Sequence, residues 1–345
     1  MQSECLDPVA DPRWLQFVEG SSDAVVFHHP GWLRLLSRQY GYPLRACCVL
    51  GASGEIVAGL PMARVRSRIT GDRLVALPFS DVCPVLVEGT QAADAGPALA
   101  RALEEEHART GLDVNMHARV AGLSSAFVLR RFYHHKVSLH PDVSLVERSY
   151  AKSQIRRGVA RARREGLLTT NETGLAALDA FYALHMRTRK RLGAPTQPKA
   201  FVRRFRDLFG AGLGFVMLVR LGEQPIAGAV FLTFNGVLTY KYGASDARFL
   251  NKRPNNLLFS DAIAWGCTNG LHTLDLGRTD LDNPGLRSFK RGWGAQEADL
   301  HYTCLSRRAP RNGAGRAALA AKWVIQRSPP AVSRAVGELL YRHAG

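Results

Sequence analysis

The sequence predicts an α/β protein of two domains, and three observations lead to that expectation. A chain of 345 residues corresponds to about two domains of roughly 150 residues each. Segments that alternate like strands recur between segments with helical periodicity along the chain. Hydrophobic residues make up 46% of the composition, which is enough for two sizeable cores. We therefore place the first domain at residues 1–145, the second at 146–305 and a basic helical extension at 306–345.

The first domain begins with helices and continues into short strands. The segment His29-Pro30-Gly31-Trp32 opens a helix that runs to Tyr40, because its apolar residues fall on one face. The remaining expected elements are a helix at 14–18, hairpin strands at 45–50 and 56–62, a strand within 71–81 and a helix at 98–109.

The segment 148–167 carries the densest positive charge of the chain. Its cations are Arg148, Lys152, Arg156, Arg157, Arg161, Arg163 and Arg164, against the single acid Glu165. We expect one helix here, with Ser149 as its N-cap and a narrow apolar stripe at Ile155, Val159 and Ala162. Like charges four residues apart repel unless an anion separates them, which favours phosphate contact over a merely solvated surface.

The second domain repeats the alternation of helices and strands around a hairpin. Asn235-Gly236 lies between two apolar segments and is a strong signal for a two-residue hairpin turn. The expected elements are helices at 176–191, 199–209 and 255–269 and strands at 215–220, 226–234, 237–243 and 271–276.

The segment 274–295 holds the most unusual pattern. Leu274 and Leu276 alternate with Asp275 as in a half-buried strand, and Asn283-Pro284-Gly285 is typical of a turn. Ser288–Gly294 then places Lys290 and Arg291 between Phe289 and Trp293, with Gly292 and Gly294 allowing close backbone approach. This pattern suits the wall of a pocket for an acyl group and a developing negative charge; a basic turn at a domain edge is the alternative.

These residues resemble a known family. DLGRT followed by NPGLRSFKRGWGA is similar to the closing segment of the second domain of the FemABX peptidyltransferases and their GNAT-like relatives, which include bacterial BioF-like acyltransferases. Further similarities lie at the His-Pro-Gly-Trp helix start, at Leu77–Asp81, at Tyr240–Ala244 and at 254–258. The resemblance implies two tandem GNAT-like domains, each a mixed twisted sheet flanked by helices, with the extension packed on the first domain. The first would be degenerate and bind the acceptor, and the second would bind the donor and catalyse transfer.

The resemblance also implies roles for particular residues. Lys290 matches the functionally critical lysine of the family motif, and we expect it to stabilise the oxyanion or a donor phosphate. Tyr242 is the second catalytic candidate, and alternation along a strand would place Tyr240 on the same side. The other expected substrate-binding residues are Phe289, Arg291, Trp293, Arg278 and Asp81.

Two of these assignments have alternatives. Asp81, with Ser80, either faces the acceptor or caps the turn after a strand, and we favour capping slightly. Asp275 is expected to pair with Arg278 or Lys290 rather than to act as a base. The sequence contains no evident Ser/His/Asp or Cys/His arrangement, so we expect direct transfer without an acyl-enzyme.

The identity of the donor depends on the turn before the helix at 255. Acetyl-CoA-dependent GNAT proteins carry a glycine-rich turn there, whereas residues 246–254 contain Lys252 and Arg253 and no glycine. We therefore expect an aminoacyl-tRNA more than acetyl-CoA, without excluding an acyl-CoA, and no tightly bound cofactor. The expected phosphate contacts are Arg156, Arg157, Asn255 and Asn256.

The composition limits the partners and the compartment. A net charge of +17 predicts an anionic partner, such as a nucleotide-linked substrate, tRNA or an anionic membrane surface, unless the excess is only solvated. The cysteines and histidines lack metal-ligand spacing, and neither a signal peptide nor a membrane span is evident, so we expect a cytoplasmic protein without a metal. The sequence thus indicates an N-acyltransferase or aminoacyltransferase that forms an amide on an amine of a cell-envelope, polysaccharide or peptide precursor. The alternative is a non-catalytic protein that binds tRNA or an anionic surface on a degenerate GNAT scaffold.

Overall fold

The computed structural model describes residues 1–88, 92–308 and 325–343, and the chain divides into two compact units. The first unit contains Met1–Phe132, the segment that begins at Asp299 and the residues from Leu340 onward. The second contains Tyr133–Ala298 and the described residues that precede Leu340. The chain first passes from one unit to the other at Phe132 and Tyr133, whereas we expected this boundary near residue 145.

The first unit is built from short helices, one long helix and short strands. Its helices are α1 (Pro12–Gly20), α2 (Pro30–Tyr40) and α3 (Ala92–Thr110). Its strands are β1 (Gln2–Leu6), β2 (Leu44–Leu50), β3 (Ile56–Val65), β4 (Arg73–Ala76), β5 (Leu86–Val87), β6 (Asp113–Met116), the first half of β7 (Phe127–Ser138) and most of β13 (Gln296–Leu305).

The sheet of the first unit is mixed. Strands β1 to β4 pair antiparallel in sequence order, β4 pairs with β6 in parallel, and β13 pairs antiparallel with β6. The parallel pair is joined through α3, as a crossover between parallel strands requires. Trp14, Trp32, Leu60 and Met62 are fully buried and form part of the core between helices and sheet.

The second unit contains longer strands and more helices. Its helices are α4 (Val143–Arg148), α5 (Arg157–Arg164), α6 (Leu175–Leu192), α7 (Lys199–Arg203), α8 (Phe205–Gly210), α9 (Pro254–Thr268), α10 (Pro284–Arg291) and α11 (Pro330–Leu340). Its strands are the second half of β7, then β8 (Leu167–Glu172), β9 (Gly214–Leu221), β10 (Gln224–Phe234), β11 (Val237–Ser245) and β12 (Thr273–Asp280).

The sheet of the second unit runs in the order β7-β12-β11-β10-β9-β8. Strands β8 to β11 pair antiparallel, and β11 pairs in parallel with β12 after the α9 crossover. The hairpin between β10 and β11 turns at Asn235-Gly236, both with positive φ, as the sequence predicts. Both units therefore confirm the expected α/β class, with mixed sheets and flanking helices.

The basic segment does not form the single helix expected over 148–167. Helix α4 ends at Arg148, Ser149 is its C-cap, a π-helical turn covers Lys152–Arg156, and α5 follows. The backbone N–H of Ala151 donates to the carbonyl of Gly292 at 2.7 Å, so a long-range bond takes the place of a helical one. The predicted apolar stripe of Ile155, Val159 and Ala162 is nonetheless buried.

The segment expected to be a turn at Asn283 is the start of α10. The Asn283 side chain accepts from the N–H of Leu286 and caps the helix, with Pro284 at its first position. Gly294 adopts φ 77°, and a Cβ there would overlap the Ser149 side chain. The close approach expected of these glycines is therefore present.

The C-terminal extension is described only from residue 325, so the helix expected from Arg316 lies mostly outside the described residues. In the second unit, the hydroxyls of Ser333 and Thr196 are 3.0 Å apart, and the Gln326 side chain donates to the carbonyl of Arg191. In the first unit, the Tyr42 hydroxyl donates to the carbonyl of Arg342. The last residues therefore contact the first unit, and the part around α11 contacts the second unit.

Candidate functional site

A cavity of about 260 Å³ lies in the second unit where two parallel strands part. Strands β11 and β12 pair over Val237–Thr239 and Thr273–Asp275. Beyond that point the cavity is bordered by Leu276 of β12 on one side and by four residues of β11 on the other: Tyr240, Gly243, Ala244 and Ser245. Backbone N–H and C=O groups that no longer pair with a neighbouring strand can form hydrogen bonds with an extended ligand.

Helices α9 and α10 supply most of the apolar wall. The lining residues of these helices are Asn255, Leu258, Phe259, Leu286, Phe289 and Lys290. The rings of Phe259 and Phe289 meet edge to face at 5.5 Å, and Tyr240 packs on Phe259 at 4.9 Å. An apolar cavity with a few polar groups is typical of a small-ligand site.

Tyr240 and Tyr242 lie on different faces of β11, so the expectation that they share a side is wrong. A bulge in the β10–β11 pairing sets Phe231 opposite Tyr240 and Val230 opposite Tyr242. Tyr240 lines the cavity, whereas Tyr242 packs on His185 and Phe205 at centroid distances of 5.7 and 6.1 Å. Tyr240, rather than the expected Tyr242, thus lines the same cavity as Lys290.

The Tyr240 hydroxyl depends on a glycine for its position. A Cβ on Gly243 would overlap this hydroxyl oxygen. Burial raises the pKa of Tyr240 to about 12, so the hydroxyl is protonated at neutral pH. It is therefore available as a donor but not as a base near pH 7.

Lys290 is buried at the cavity wall and holds the end of β12. Its side chain is 4% exposed, and Nζ donates to the carbonyls of Gly277 at 2.9 Å and Arg278 at 2.8 Å. Gly277 has φ 69°, a conformation that favours glycine and turns its carbonyl out of the regular ladder direction. Hydrogen bonds to these two carbonyls explain how the buried charge is tolerated.

A polar network lies beside Lys290 on β7, β12 and α10. The carboxylate of Asp275 bonds to His134 at 2.8 Å and accepts from the N–H of Gly277, whereas Arg278 or Lys290 was the expected partner. Burial raises the pKa of Asp275, but His134 and the other favourable contacts outweigh it and leave the pKa below its usual range.

A second part of this network surrounds His135. Its Nε2 is 3.0 Å from Glu297, and Glu297 accepts two hydrogen bonds from Arg287. The pKa of His135 is lowered by burial first and by the neighbouring Lys290 charge second. A neutral imidazole therefore lies close to the lysine that the sequence pattern singled out.

The turn before α9 is a 3₁₀ helix, Ala247–Lys252, instead of a glycine-rich loop. Asp246 caps it and pairs with Arg248 and Arg187, and these arginines, Arg248 foremost, lower the pKa of this carboxyl to about 2. Cationic side chains lie nearby: Arg191 lines the cavity and also a neighbouring open depression with Arg187, Lys190 and Gln326.

The remaining predicted residues lie elsewhere. Trp293 is fully buried in the core behind Phe289, and Arg291 is exposed. Asn256 donates to the carbonyl of Gln154 and so joins α9 to the π-helical turn. Asp81 belongs to the first unit, where its carbonyl accepts from Tyr302.

Two further predicted residues were assigned to phosphate. Arg156 donates to the carbonyls of Glu147 and Arg148, and the neighbouring Arg157 is exposed. Neither residue lines the cavity between β11 and β12.

Sequence reasoning missed the contribution of α6 to the site. Thr188 and Arg191 line the cavity, and the Thr188 hydroxyl bonds to both the N–H and the carbonyl of Ser245. No signal in the sequence distinguishes these residues from the rest of an amphipathic helix, because their role comes from the packing of α6 on β11.

Within residues 1–88, 92–308 and 325–343, no group of three or more His, Cys, Asp or Glu side chains is arranged to hold a metal ion. Among the same residues, no helix has the length and apolar character that crossing a membrane requires.

Comparison with known proteins places this site in a defined domain. Residues 149–291 match the family model described as an acetyltransferase (GNAT) domain. A comparison with curated proteins found no significant sequence match.

Solved structures similar to this chain span most of its length. FemX has a TM-score of 0.66 at 14% identity, with 87% of this chain and 97% of FemX covered. L-PGS from Bacillus licheniformis has a TM-score of 0.56 at 13% identity, with 93% and 97% covered. A tandem GNAT protein from the clavulanic acid biosynthesis pathway has a TM-score of 0.53 at 12% identity, with 90% and 100% covered. Residues 149–291 therefore match a GNAT domain, and the chain shares its fold with FemX and with a tandem GNAT protein.

Proposed function

We propose that this protein transfers an acyl group from an activated donor, bound in the cavity between β11 and β12, to an amine. The observation that carries the proposal is the parting of these parallel strands around an apolar cavity, inside a domain that matches the acetyltransferase (GNAT) model. The product would be an amide on a cell-envelope, polysaccharide or peptide precursor.

The cavity suits the acyl part of such a donor. Leu258, Phe259, Leu276 and Phe289 offer apolar contact, and the edge of β11 offers backbone hydrogen bonds to an extended chain. The hydroxyl of Thr188 is occupied by the backbone of Ser245, and none of the described lining residues is a cysteine. These features support direct attack of the amine on the donor carbonyl, with loss of its proton and departure of the donor's thiol or ribose hydroxyl.

Lys290 supplies a preorganised positive charge at the wall of the cavity. Its ammonium is held by the carbonyls of Gly277 and Arg278, so little reorganisation is needed when negative charge develops on the attacked carbonyl oxygen. Tyr240 adds a protonated hydroxyl in the same cavity. We propose Lys290 as the charge-stabilising residue and Tyr240 as a positioning donor.

The donor's anionic part would lie on cationic side chains instead of on a glycine-rich loop. Arg191 lines both the cavity and the neighbouring depression formed with Arg187 and Lys190. One donor could therefore place its anionic group in the depression and its acyl group in the cavity. A nucleotide-linked donor fits this arrangement, as either aminoacyl-tRNA or acyl-CoA. The 3₁₀ turn at Ala247–Lys252 favours aminoacyl-tRNA, because side chains rather than wrapped backbone N–H groups face the phosphates.

The test presents the purified full chain with bulk aminoacyl-tRNA or with a panel of acyl-CoA donors, together with amine acceptors, and detects new amides by mass spectrometry. Arg191→Gln should raise the KM for the donor several-fold, and Arg206→Gln, an exposed arginine of the same unit, should leave it unchanged. Failure to form an amide from either donor class, with tRNA bound but unchanged, would favour the second candidate.

That second candidate is a protein that binds tRNA or an anionic surface without catalysis. Two observations favour it: the glycine-free turn before α9 and the cationic segment from Arg148 to Arg164. It predicts saturable tRNA binding that Lys290→Ala does not alter, because Lys290 is buried whereas most arginines of that segment are exposed.

A further inference from the structure

A second cavity, of about 410 Å³, lies in the same unit and shares no lining residue with the first. It is formed by α4, the π-helical turn, α5 and a residue of α9. The polar residues that border it include Arg148, Arg156, Arg163, Tyr150, Ser144 and Ser260. Its volume falls within the range typical of small-molecule sites.

Positive charge dominates the wall of this second cavity. The wall contains three arginines, Arg148, Arg156 and Arg163, and Glu147 is its single acidic residue. Arg156 is held in place by hydrogen bonds of 3.0 and 2.9 Å to the carbonyls of Glu147 and Arg148. Arg163 is 3.6 Å from Asp261, with 60% of its side chain exposed, so it can reorient toward a ligand. Glu147 and Asp261 offset part of this charge, and the arginines repel one another unless a further anion lies between them.

Tyr150 is the feature that points to a ligand. It is 6% exposed and packs edge to face on Trp293 at 4.9 Å, and its hydroxyl has no hydrogen-bond partner among the described residues. Burying an unpaired hydroxyl is unfavourable, so a partner beyond the described residues, such as a bound ligand, would stabilise this group. Burial and the charges of Glu147 and Asp261 raise the pKa of Tyr150, so the hydroxyl is a donor.

We propose that this cavity binds the phosphate monoester of a small molecule. The guanidinium groups of Arg148, Arg156 and Arg163 neutralise the doubly charged phosphate and match its oxygens, and Tyr150 donates to one of them. A cavity of about 410 Å³ matches the size of a small ligand. This site is additional to the acyl-transfer cavity, and α9 contributes to the walls of both.

The test measures binding of glycerol 3-phosphate to the full chain by calorimetry at fixed ionic strength, with glycerol as the uncharged comparison. We expect saturable 1:1 binding of the ester and none of glycerol. Tyr150→Phe keeps the ring on Trp293 and should weaken binding about tenfold, the effect of one hydrogen bond to a charged group. Arg163→Gln should weaken it at least as much.

Arg206→Gln is the matched control. The Arg206 side chain is 59% exposed and lies 4.0 Å from Asp207, and the Arg163 side chain is 60% exposed and lies 3.6 Å from Asp261. The affinity of this control should equal that of the unaltered protein. Equal losses in Arg206→Gln and Arg163→Gln would overturn the proposal in favour of diffuse attraction. Unchanged affinity in Tyr150→Phe would overturn it in favour of a structural role for the hydroxyl.

Vesicles of phosphatidylglycerol in phosphatidylcholine separate a soluble ester from a lipid headgroup. We expect glycerol 3-phosphate to bind without vesicles. Binding to the vesicles combined with no binding of the soluble ester would overturn the assignment to a small molecule. None of these measurements depends on acyl transfer, so they distinguish failure of this site from failure of the proposed activity.

Discussion

At the scale of single residues, Lys290 combines a proposed chemical role with a structural one. Lys290→Ala should lower kcat/KM by roughly two to three orders of magnitude, as removal of an oxyanion-stabilising charge does. It also removes hydrogen bonds to Gly277 and Arg278, so the free energy of unfolding should fall by about 1–3 kcal/mol. Steady-state kinetics and urea unfolding measure the two effects separately.

Lys290→Arg provides the comparison that separates charge from shape. It keeps the positive charge but replaces a compact ammonium by a planar guanidinium, so only partial rescue is expected. A Lys290→Ala protein that is folded and fully active would contradict the proposed mechanism.

Gly243 is predicted to control the position of the Tyr240 hydroxyl. Gly243→Ala introduces a Cβ into the space that this hydroxyl occupies and should lower the free energy of unfolding by about 1–3 kcal/mol. Adding Tyr240→Phe in the same chain removes the overlapping oxygen and should recover part of the loss. Urea unfolding of both single variants and the double variant tests this, and strictly additive effects would show that the two residues do not interact.

His185 makes stability depend on pH. Burial lowers its pKa to about 4, and its Nε2 lies 2.6 Å from the Gln197 side-chain oxygen. Because the folded-state pKa is below the ordinary 6.5, the contribution of the neutral ring is complete above pH 6.5 and is lost as the pH falls toward 4. From pH 7.5 to 5 this one group should cost about 2 kcal/mol.

The corresponding measurement is urea unfolding at both pH values for the unaltered protein and for His185→Gln. The variant retains a side chain able to bond Gln197 but cannot titrate in this range, so its loss of stability on acidification should be smaller. His28 is also buried with a pKa lowered to about 4 and is present in both proteins, so its effect cancels in the comparison. Identical pH dependence in the two proteins would exclude the role assigned to His185.

At the scale of elements, the end of α10 and the end of α4 are joined through glycines. The N–H of Ala151 donates to Gly292, and Gly294, at φ 77°, leaves room for Ser149. This contact explains why the cationic segment breaks into α4, a π-helical turn and α5. It also sets α10, and with it Phe289 and Lys290, against β12.

Gly294→Ala is therefore predicted to be costly. The added Cβ would overlap the Ser149 side chain, and alanine resists positive φ, so the free energy of unfolding should fall by more than about 2 kcal/mol. Gly285→Ala, near the exposed start of α10, meets only the Asn283 oxygen at 3.9 Å and should change stability by less than about 0.5 kcal/mol. Similar thermal unfolding of the two variants would refute this account of the joint.

At the scale of the whole molecule, the net charge of +17 predicts measurable affinity for polyanions. If the segment from Arg148 to Arg164 contacts about five phosphates, the log–log dependence of tRNA affinity on salt should have a slope of about −3.5 to −4.5. Changing Arg156, Arg157 and Arg161 to glutamate should weaken binding and flatten that slope. Nitrocellulose filter binding across a salt series is the measurement.

Arg203, Arg204 and Arg206, on and between α7 and α8, provide a control with the same change of charge in the same unit. Replacing all three by glutamate should weaken tRNA binding less than the glutamate replacement of Arg156, Arg157 and Arg161 does. Equal weakening would mean that net charge, and not the cationic segment, governs the affinity.

Local patterns in the sequence determined much of this fold, because local interactions suffice for them. Asn235-Gly236 predicted the hairpin, since few other residues accept positive φ at both positions. The buried stripe of Ile155, Val159 and Ala162 followed from helical periodicity, which survives the change from α to π turn within the segment. Lys290 and its aromatic neighbours were singled out because a lysine between large apolar groups is unusual.

Tertiary structure alone decided how these parts are used. The bulge opposite Val230 separates Tyr240 from Tyr242, and alternation along a strand cannot reveal an extra residue that only the pairing with β10 defines. The bond from Ala151 to Gly292 breaks the expected helix, and the carbonyls of Gly277 and Arg278 hold Lys290. Thr188 and Arg191 reach the cavity because α6 packs on β11. Each of these contacts joins separate segments of the chain, and local propensity and periodicity carry no information about which segments will meet.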